Sequence, residues 1–211
     1  MATISSSTAK TILARLGFRV NTSARYTQAV RDFQAGWNLG AMLGIDGVVG
    51  PRTSAALLLS EKRRAAGAGT ASAHFSFKEF QCHCGGKYAA CRRIAGEGVR
   101  GHGRYVLRGL IQGLEATRDA YYHGGMSIVS GYRCDGHNHA IGGASSSQHR
   151  FGAAADIGRV VSHQRLAGRH WFAGIGYKRS NGLVQHVDRR DLSGVNPTHG
   201  SQNNPTTWIY S

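Results

Sequence analysis

The chain has 211 residues, of which 41% are hydrophobic and 18% charged, so it has enough apolar material for a core, and wholesale disorder is excluded. Its 26 Lys and Arg against 11 Asp and Glu give a formal net charge of +15, which predicts a polyanionic partner: nucleic acid, anionic lipid or anionic cell-wall polymer. No apolar stretch reaches the roughly 18 residues of a membrane span, and no signal peptide precedes the first helix. We therefore expect a protein made in the cytoplasm.

Three short helices are predicted in the first part of the chain. Apolar residues at near-helical spacing indicate helices over 8–20 and roughly 26–39. Gly50-Pro51 marks a turn that opens a third helix over 52–60. This pattern predicts a small three-helix domain over residues 1–60.

A change in composition separates this domain from the rest. Residues 61–73 are first charged and then rich in Gly, Ala and Ser, which is typical of a linker. Residues 74–211 would then form a second domain. A helix over about 104–122, followed by short apolar segments in Gly-rich loops, indicates an α+β fold with a short antiparallel sheet. The predicted strands cover 126–133, 153–161 and 182–190.

Two His/Asp pairs in the second domain are candidates for metal binding. His149 and Asp156 lie seven residues apart, with Gly152 and three alanines between them. His186 and Asp188 alternate along a predicted strand, so both side chains would point to one face. Imidazole nitrogens and carboxylate oxygens are good zinc ligands. Each pair alone also fits surface residues with no function, and only the two together favour a site.

The order and spacing of these segments resemble those of the zinc D-Ala-D-Ala metallopeptidases, a carboxypeptidase and endopeptidase group with a hedgehog-related fold. The matching segments are SGYR (130–133), HNHAIGGASSSQHRFGAAADI (137–157), GIGY (174–177) and VQHVD (184–188). The resemblance implies one catalytic zinc ion held by His149, Asp156 and His186. It also implies that Arg133, Ser147 and Gln148 bind the substrate.

One position departs from the family pattern. Many members carry Asp or Glu three residues before the last ligand as the general base, and here that position is Leu183. We assign the base to Asp188, so that removing its carboxylate would abolish turnover with zinc still bound. The alternative makes Asp188 the third ligand and leaves His186 for proton transfer.

The first domain has its own resemblance, to the common peptidoglycan-binding three-helix domain. The segments that carry it are AVRDFQ (29–34) and DGVVGPRTSAAL (46–57). A wall-binding module, a basic chain and no signal peptide together suggest a phage endolysin released to the wall through a holin. The expected activity is that of a D,D-endopeptidase or carboxypeptidase, and an L-Ala-D-Glu endopeptidase of the same family is the alternative.

Two alternative hypotheses about the function remain. A zinc-containing wall-binding protein without catalysis is possible because Leu183 cannot act as a base. A nucleic-acid binder is suggested by charge alone, and no basic recognition helix or aromatic RNA-binding motif supports specific binding. We expect a monomer that binds peptidoglycan and anionic wall polymers.

Four cysteines, three of them close in sequence, have three possible states. Cys82, Cys84 and Cys91 could bridge to Cys134, stay as reduced buried thiols, or bind a second zinc ion, although C-x-C-x6-C is not a standard zinc spacing. Tyr121, Tyr122, Trp171 and Trp208 could line the groove or fill the core; the sequence does not decide between the two, and the core is the default assignment.

Overall fold

A computed structural model gives the fold. It describes residues 2–88, 91, 106–122, 125–158, 161–189 and 200–210. Within these residues the chain forms six α-helices and a five-stranded, mostly antiparallel sheet, which confirms the predicted α+β class. No described helix combines the length and the apolar character that crossing a bilayer requires.

The three predicted N-terminal helices are all present. They are α1 (Ser6–Arg15), α2 (Ser23–Gly36) and α3 (Pro51–Ala65). Ser5 and Thr22 cap the first two, because each hydroxyl accepts a hydrogen bond from the backbone N–H three residues later. Pro51 begins α3, where the missing N–H leaves no helical hydrogen bond unmade.

The segment predicted as a linker packs against the rest of the chain. α3 continues five residues beyond its predicted end, and Thr70, Ala71 and Ser72 are buried. Farther along, the Phe77 ring lies 5.1 Å from that of Phe18 and 5.4 Å from that of Phe33, measured between centroids. The helical unit and the following residues therefore share one apolar core, and the division into domains stays a prediction.

The second half of the chain builds the sheet. Its strands are β1 (Ile128–Ser130), β2 (Ala154–Ile157), β3 (Gly174–Lys178), β4 (Val184–Asp188) and β5 (Thr206–Tyr210). They are ordered β1-β2-β4-β3-β5, and every neighbouring pair is antiparallel except β3 and β5. Leu110, Ile111 and Leu114 of the preceding helix belong to the same core as the sheet residues Ile175 and Val187.

The predicted elements of this half are present with shorter bounds. The long helix is α4 (Arg108–Tyr121), and the three predicted strands correspond to β1, β2 and β4, with residues 104–105, 159–160 and 190 of these predictions outside the described residues. β3 and β5 were not predicted. The short helices are α5 (Asp135–Ala140), α6 (His163–Ala167) and the 3-10 helices Phe77–Phe80 and Gln148–Phe151.

The buried Gln34 joins α2 to the loop before α3. Its Nε2 donates to Asp46 Oδ1 (2.8 Å) and to the Val48 carbonyl (3.0 Å), and its Oε1 accepts from the Gly47 N–H (3.0 Å). The conformation of the DG-x-x-GP segment therefore depends on one amide side chain.

We expect Gln34→Ala to lower the free energy of unfolding by about 2 kcal/mol, because the loop loses three hydrogen bonds and the helix gains a void. Urea unfolding of the full chain measures the change. Gln164→Ala removes an exposed glutamine and should change stability by less than about 0.5 kcal/mol. Equal losses in the two variants would contradict the structural role of Gln34.

Candidate metal centre

The sheet places two of the predicted ligands side by side. In the antiparallel pair of β2 and β4, Asp156 lies directly opposite His186. Residues that face each other across two antiparallel strands project from the same face of the sheet. The register therefore brings together a carboxylate and an imidazole that are 30 residues apart in sequence.

His149 reaches the same point from the 3-10 helix Gln148–Phe151. Gly152 ends that helix with φ of 68°, a left-handed conformation that turns the chain into β2 and suits glycine. The His149 ring is almost fully buried, and its Nδ1 lies 2.6 Å from the carbonyl oxygen of Gly131. This hydrogen bond fixes the ring with Nε2 directed toward Asp156 and His186.

One atom of each predicted ligand converges on a common point. His149 Nε2 lies 3.1 Å from His186 Nδ1 and 3.2 Å from Asp156 Oδ1, and His186 Nδ1 lies 2.9 Å from Asp156 Oδ1. Zinc–ligand bonds of roughly 2.0–2.1 Å at tetrahedral angles place ligand atoms about 3.3 Å apart. The spacing of the three atoms is close to that value.

The outer hydrogen bonds of the two histidines also fit a metal. The Gly131 carbonyl can only accept, so Nδ1 of His149 carries the proton. Asp188 Oδ2 lies 3.3 Å from His186 Nε2 and accepts its proton in the same way. Neutral rings held like this direct two lone pairs, on His149 Nε2 and His186 Nδ1, at each other, and a cation between them resolves the repulsion.

The electrostatics favour the metal-binding form of His149 and Asp156, whereas His186 holds a proton more readily than usual. Burial lowers the pKa of His149, so its ring stays neutral near pH 7. Burial raises the pKa of Asp156, but its close contacts with the side chains of His149 and His186 outweigh that effect and hold it well below its usual value. Burial lowers the pKa of His186, yet its hydrogen bonds to Asp156 and Asp188 outweigh that effect and raise it.

Asp188 lies outside this group of three. Its carboxylate is fully buried behind His186, on the side of the ring away from Asp156. The set of ligand atoms within 4.8 Å of one another contains His186 and not Asp188. The geometry therefore supports His186 as the third ligand rather than the alternative in which Asp188 takes that place.

A cleft of about 470 Å³ is lined by two of the three predicted ligands, His149 and His186, and also by Asp188. Arg133, Ser147 and Gln148, the predicted substrate-binding residues, all line it. The guanidinium of Arg133 pairs with Asp156 Oδ2 through Nη2 and donates to Ser130 Oγ through Nε (3.0 Å). Arg133 therefore contacts the predicted metal ligand Asp156 and also lines the cleft.

Some cleft residues were not identified from the sequence. For Trp208 the structure supports the groove rather than the default assignment to the core: it is half-buried, lines the cleft, and its ring lies 5.2 Å from that of His186 between centroids. Its position on β5, a strand that the sequence did not reveal, explains why the sequence did not decide. The backbone turn 141–144 forms another part of the wall.

Gly131 is held at a close approach of two chain segments. A Cβ on Gly131 would lie 2.5 Å from the Cα of Phe80, closer than real contacts allow. The carbonyl of the same residue accepts the hydrogen bond from His149. Gly131 therefore has two roles. Its lack of a side chain allows the close approach to Phe80, and its carbonyl orients the predicted metal ligand His149.

We expect Gly131→Ala to weaken zinc binding about 10–100-fold, since the clash displaces the carbonyl that orients His149. Competition with a zinc-binding dye measures the affinity, and circular dichroism checks the fold. Gly44→Ala is the matched control, because a Cβ there has no heavy atom within 4 Å. Unchanged zinc affinity in folded Gly131→Ala would contradict the role of the carbonyl.

Two imidazoles and one carboxylate lie close enough to share one metal ion, and both imidazoles line an open cleft, which is the arrangement of a candidate mononuclear metal centre. A family model described as Peptidase M15 matches residues 73–188, more than half of the chain. The chain belongs to the peptidase M15 family, whose members are zinc-dependent metallopeptidases. A search of curated proteins found no match.

Proposed function

We propose that this protein is a zinc-dependent peptidase that hydrolyses a peptide bond of peptidoglycan. The observation that carries the proposal is the convergence of His149, Asp156 and His186 beside a cleft that both histidines line, inside the matched family region. Three protein ligands are typical of a catalytic zinc site, whereas structural sites have four.

His149, Asp156 and His186 would hold the ion with the ring nitrogens and the carboxylate oxygen that already face one another. Zinc bound there would supply a Lewis acid for the scissile carbonyl. Asp188 accepts the Nε2 proton of His186 and so keeps Nδ1 available as a ligand. Its proposed role is therefore to position His186, and the proton-acceptor role predicted from the sequence remains the alternative.

Arg133 and the 3-10 helix that starts at Gln148 would position the substrate peptide. Arg133 is mostly buried, and its pairing with Asp156 and Ser130 holds the guanidinium at the cleft wall. A fixed guanidinium can bind a carboxylate or a peptide carbonyl with little loss of side-chain entropy. Ser147 and Gln148 line the same wall and offer hydrogen-bonding groups to the peptide backbone.

Two further features support peptidoglycan as the substrate. The net charge of +15 attracts the protein to the anionic polymers of a cell wall. A second groove, of about 430 Å³, lies on the helical unit between the end of α2 and α3, and its wall includes Trp37, Leu43, Pro51 and Leu59. We propose this groove as the wall-binding surface of the N-terminal unit, consistent with the resemblance of residues 29–57 to wall-binding domains.

The finer proposal is that the protein acts as a phage endolysin of the D,D-endopeptidase or carboxypeptidase type, reaching the wall after holin-type release. Lysis requires cuts that open the cross-linked mesh, which favours an endopeptidase over the trimming of chain ends. Hydrolysis of the L-Ala-D-Glu bond of the stem is the second candidate, because it too would detach the cross-links from the glycan.

Digestion of purified peptidoglycan tests both levels of the proposal. Zymography should give a clearing zone that EDTA abolishes and zinc restores, and mass spectrometry of the released muropeptides should reveal new termini at D-Ala cross-links. New termini at L-Ala would instead support the stem endopeptidase. Tight sedimentation with the wall but no release of muropeptides by the zinc-loaded protein would overturn the enzymatic proposal in favour of a wall-binding protein.

A further inference from the structure

A second group of potential metal ligands lies apart from the three described above. Cys82 and Cys84 follow the 3-10 helix Phe77–Phe80, and Cys134 precedes α5 as its N-cap residue. Together with Cys91 they form a cluster in which all four sulfur atoms lie within 4.8 Å of one another. None of the four is in a disulfide bond.

The spacing of the sulfur atoms fits a tetrahedral metal better than paired disulfides. A zinc–sulfur bond of about 2.3 Å at tetrahedral angles puts sulfur atoms roughly 3.8 Å apart. Cys84 Sγ and Cys134 Sγ are separated by 3.9 Å. A disulfide needs about 2.05 Å and joins sulfurs two by two, so it gives no reason for four atoms to be mutually close.

Hydrogen-bond donors and a cation lie around the cluster, while burial raises the pKa of Cys82 and Cys134 to about 11, so without a metal these two sulfurs stay protonated. The Cys134 N–H donates to Cys82 Sγ (3.4 Å), and His137 Nδ1 lies 3.2 Å from the same sulfur. On another side, Arg19 Nη1 donates to the Cys91 carbonyl at 2.6 Å and brings a positive charge to the cluster. Donors and cations around buried sulfur stabilise thiolates, the form in which cysteine binds metal.

We propose that Cys82, Cys84, Cys91 and Cys134 bind one structural zinc ion. The four thiols release four protons to solvent, four sulfur–zinc bonds form, and no atom is oxidised or reduced. Four protein ligands close the coordination shell and leave no position for substrate, so the ion is structural rather than catalytic. The fourth ligand comes from Cys134, far along the chain, and this explains why the spacing of the first three matches no standard zinc motif.

The position of the cysteine cluster links its zinc ion to the site at His149, because both involve the backbone around Arg133. It would fasten the segment after Phe80 to the corner where Arg133 is followed by Cys134. The same corner is already held by the Tyr132 N–H, which donates to the Phe80 carbonyl (2.8 Å). A zinc ion at the cysteines would thus fix the backbone that presents Arg133 to the cleft and to Asp156.

Metal content and cobalt spectra of the full-length protein test this proposal. Wild type purified with zinc should contain two zinc ions per chain, and His149→Ala should keep one. Replacing zinc by Co²⁺ in His149→Ala should give the intense near-ultraviolet sulfur-to-cobalt charge-transfer band of a thiolate site. In the wild-type background, the paired change Cys84→Ser with Cys91→Ser should lack that band and keep one zinc ion per chain, the one at His149.

Thiol alkylation separates the proposal from its alternatives. Denatured in chelator without reductant, the chain should take up four alkyl groups, whereas two or none would reveal disulfides and overturn the proposal. Four free thiols with no charge-transfer band in His149→Ala would equally overturn it, since the cysteines would be plain thiols. These readouts need neither peptidase activity nor folded cysteine variants, so failure of the proposed peptidoglycan activity leaves the result unaffected.

Discussion

His149→Ala is expected to remove one zinc ion per chain and to lower peptidoglycan hydrolysis by roughly four orders of magnitude or more, about 5 kcal/mol in transition-state stabilisation. The reason is that Asp156 and His186 alone leave the ion with two protein ligands, and the carboxylate of Asp156 is already shared with Arg133. Elemental analysis of purified protein gives the zinc content, and release of soluble muropeptides gives the rate.

His139→Ala is the matched control for this experiment. His139 lies exposed on α5, close to the site in sequence but outside the group of converging ligands. Its removal should change neither zinc content nor rate by more than about twofold. If His149→Ala kept full zinc content and normal hydrolysis, the assignment of the metal centre would be wrong, whatever the fate of the cysteine cluster.

The grouping of His149, Asp156 and His186, the candidate ligands, could be predicted from the sequence because part of its geometry follows local rules. The seven-residue separation of His149 and Asp156, with Gly152 between them, allows a turn into a strand, and alternation along β4 fixes the face of His186. The resemblance to the zinc metallopeptidases then indicated that the segment with His149 and Asp156 lies next to the segment with His186. The structure adds the reason they meet, which is the direct register of Asp156 with His186.

Features that depend on contacts distant in sequence were not predictable. β3 is Gly-rich and β5 pairs with it in parallel, so neither carries the alternating pattern of a half-buried strand. Phe77 packs among the N-terminal helices although the intervening segment has the composition of a linker. Amino-acid composition indicates only the local flexibility of a segment. The burial of residues 70–72 depends instead on the parts of the folded chain that pack against them.

The cysteines and Trp208 illustrate the same limit. Spacing argued against a metal at Cys82, Cys84 and Cys91, because the fourth sulfur lies more than forty residues farther along the chain. Trp208 has the apolar character of a core residue, and only the position of β5 beside β3 brings it to the cleft. A sequence pattern identifies the type of side chain, and the sheet order determines which site it reaches.

Asp188→Asn is expected to weaken zinc binding at the His149 site about 10–100-fold while keeping much of the turnover once zinc is saturating. The amide retains the shape of the side chain but loses the negative charge that holds the Nε2 proton of His186, so the ring presents Nδ1 less strongly. Zinc titration followed by muropeptide release at each zinc concentration separates affinity from turnover.

Asp119→Asn gives the same chemical change at an exposed carboxylate of α4 and should leave both quantities unchanged. The two roles of Asp188 predict opposite results at saturating zinc. A positioning carboxylate acts through His186, so added metal compensates for its loss; a proton acceptor acts on the reacting water, so added metal does not. If turnover stays several orders of magnitude below that of the wild type with zinc fully bound, Asp188 is the general base. It would then do the work of the Asp or Glu that many family members carry at the position of Leu183.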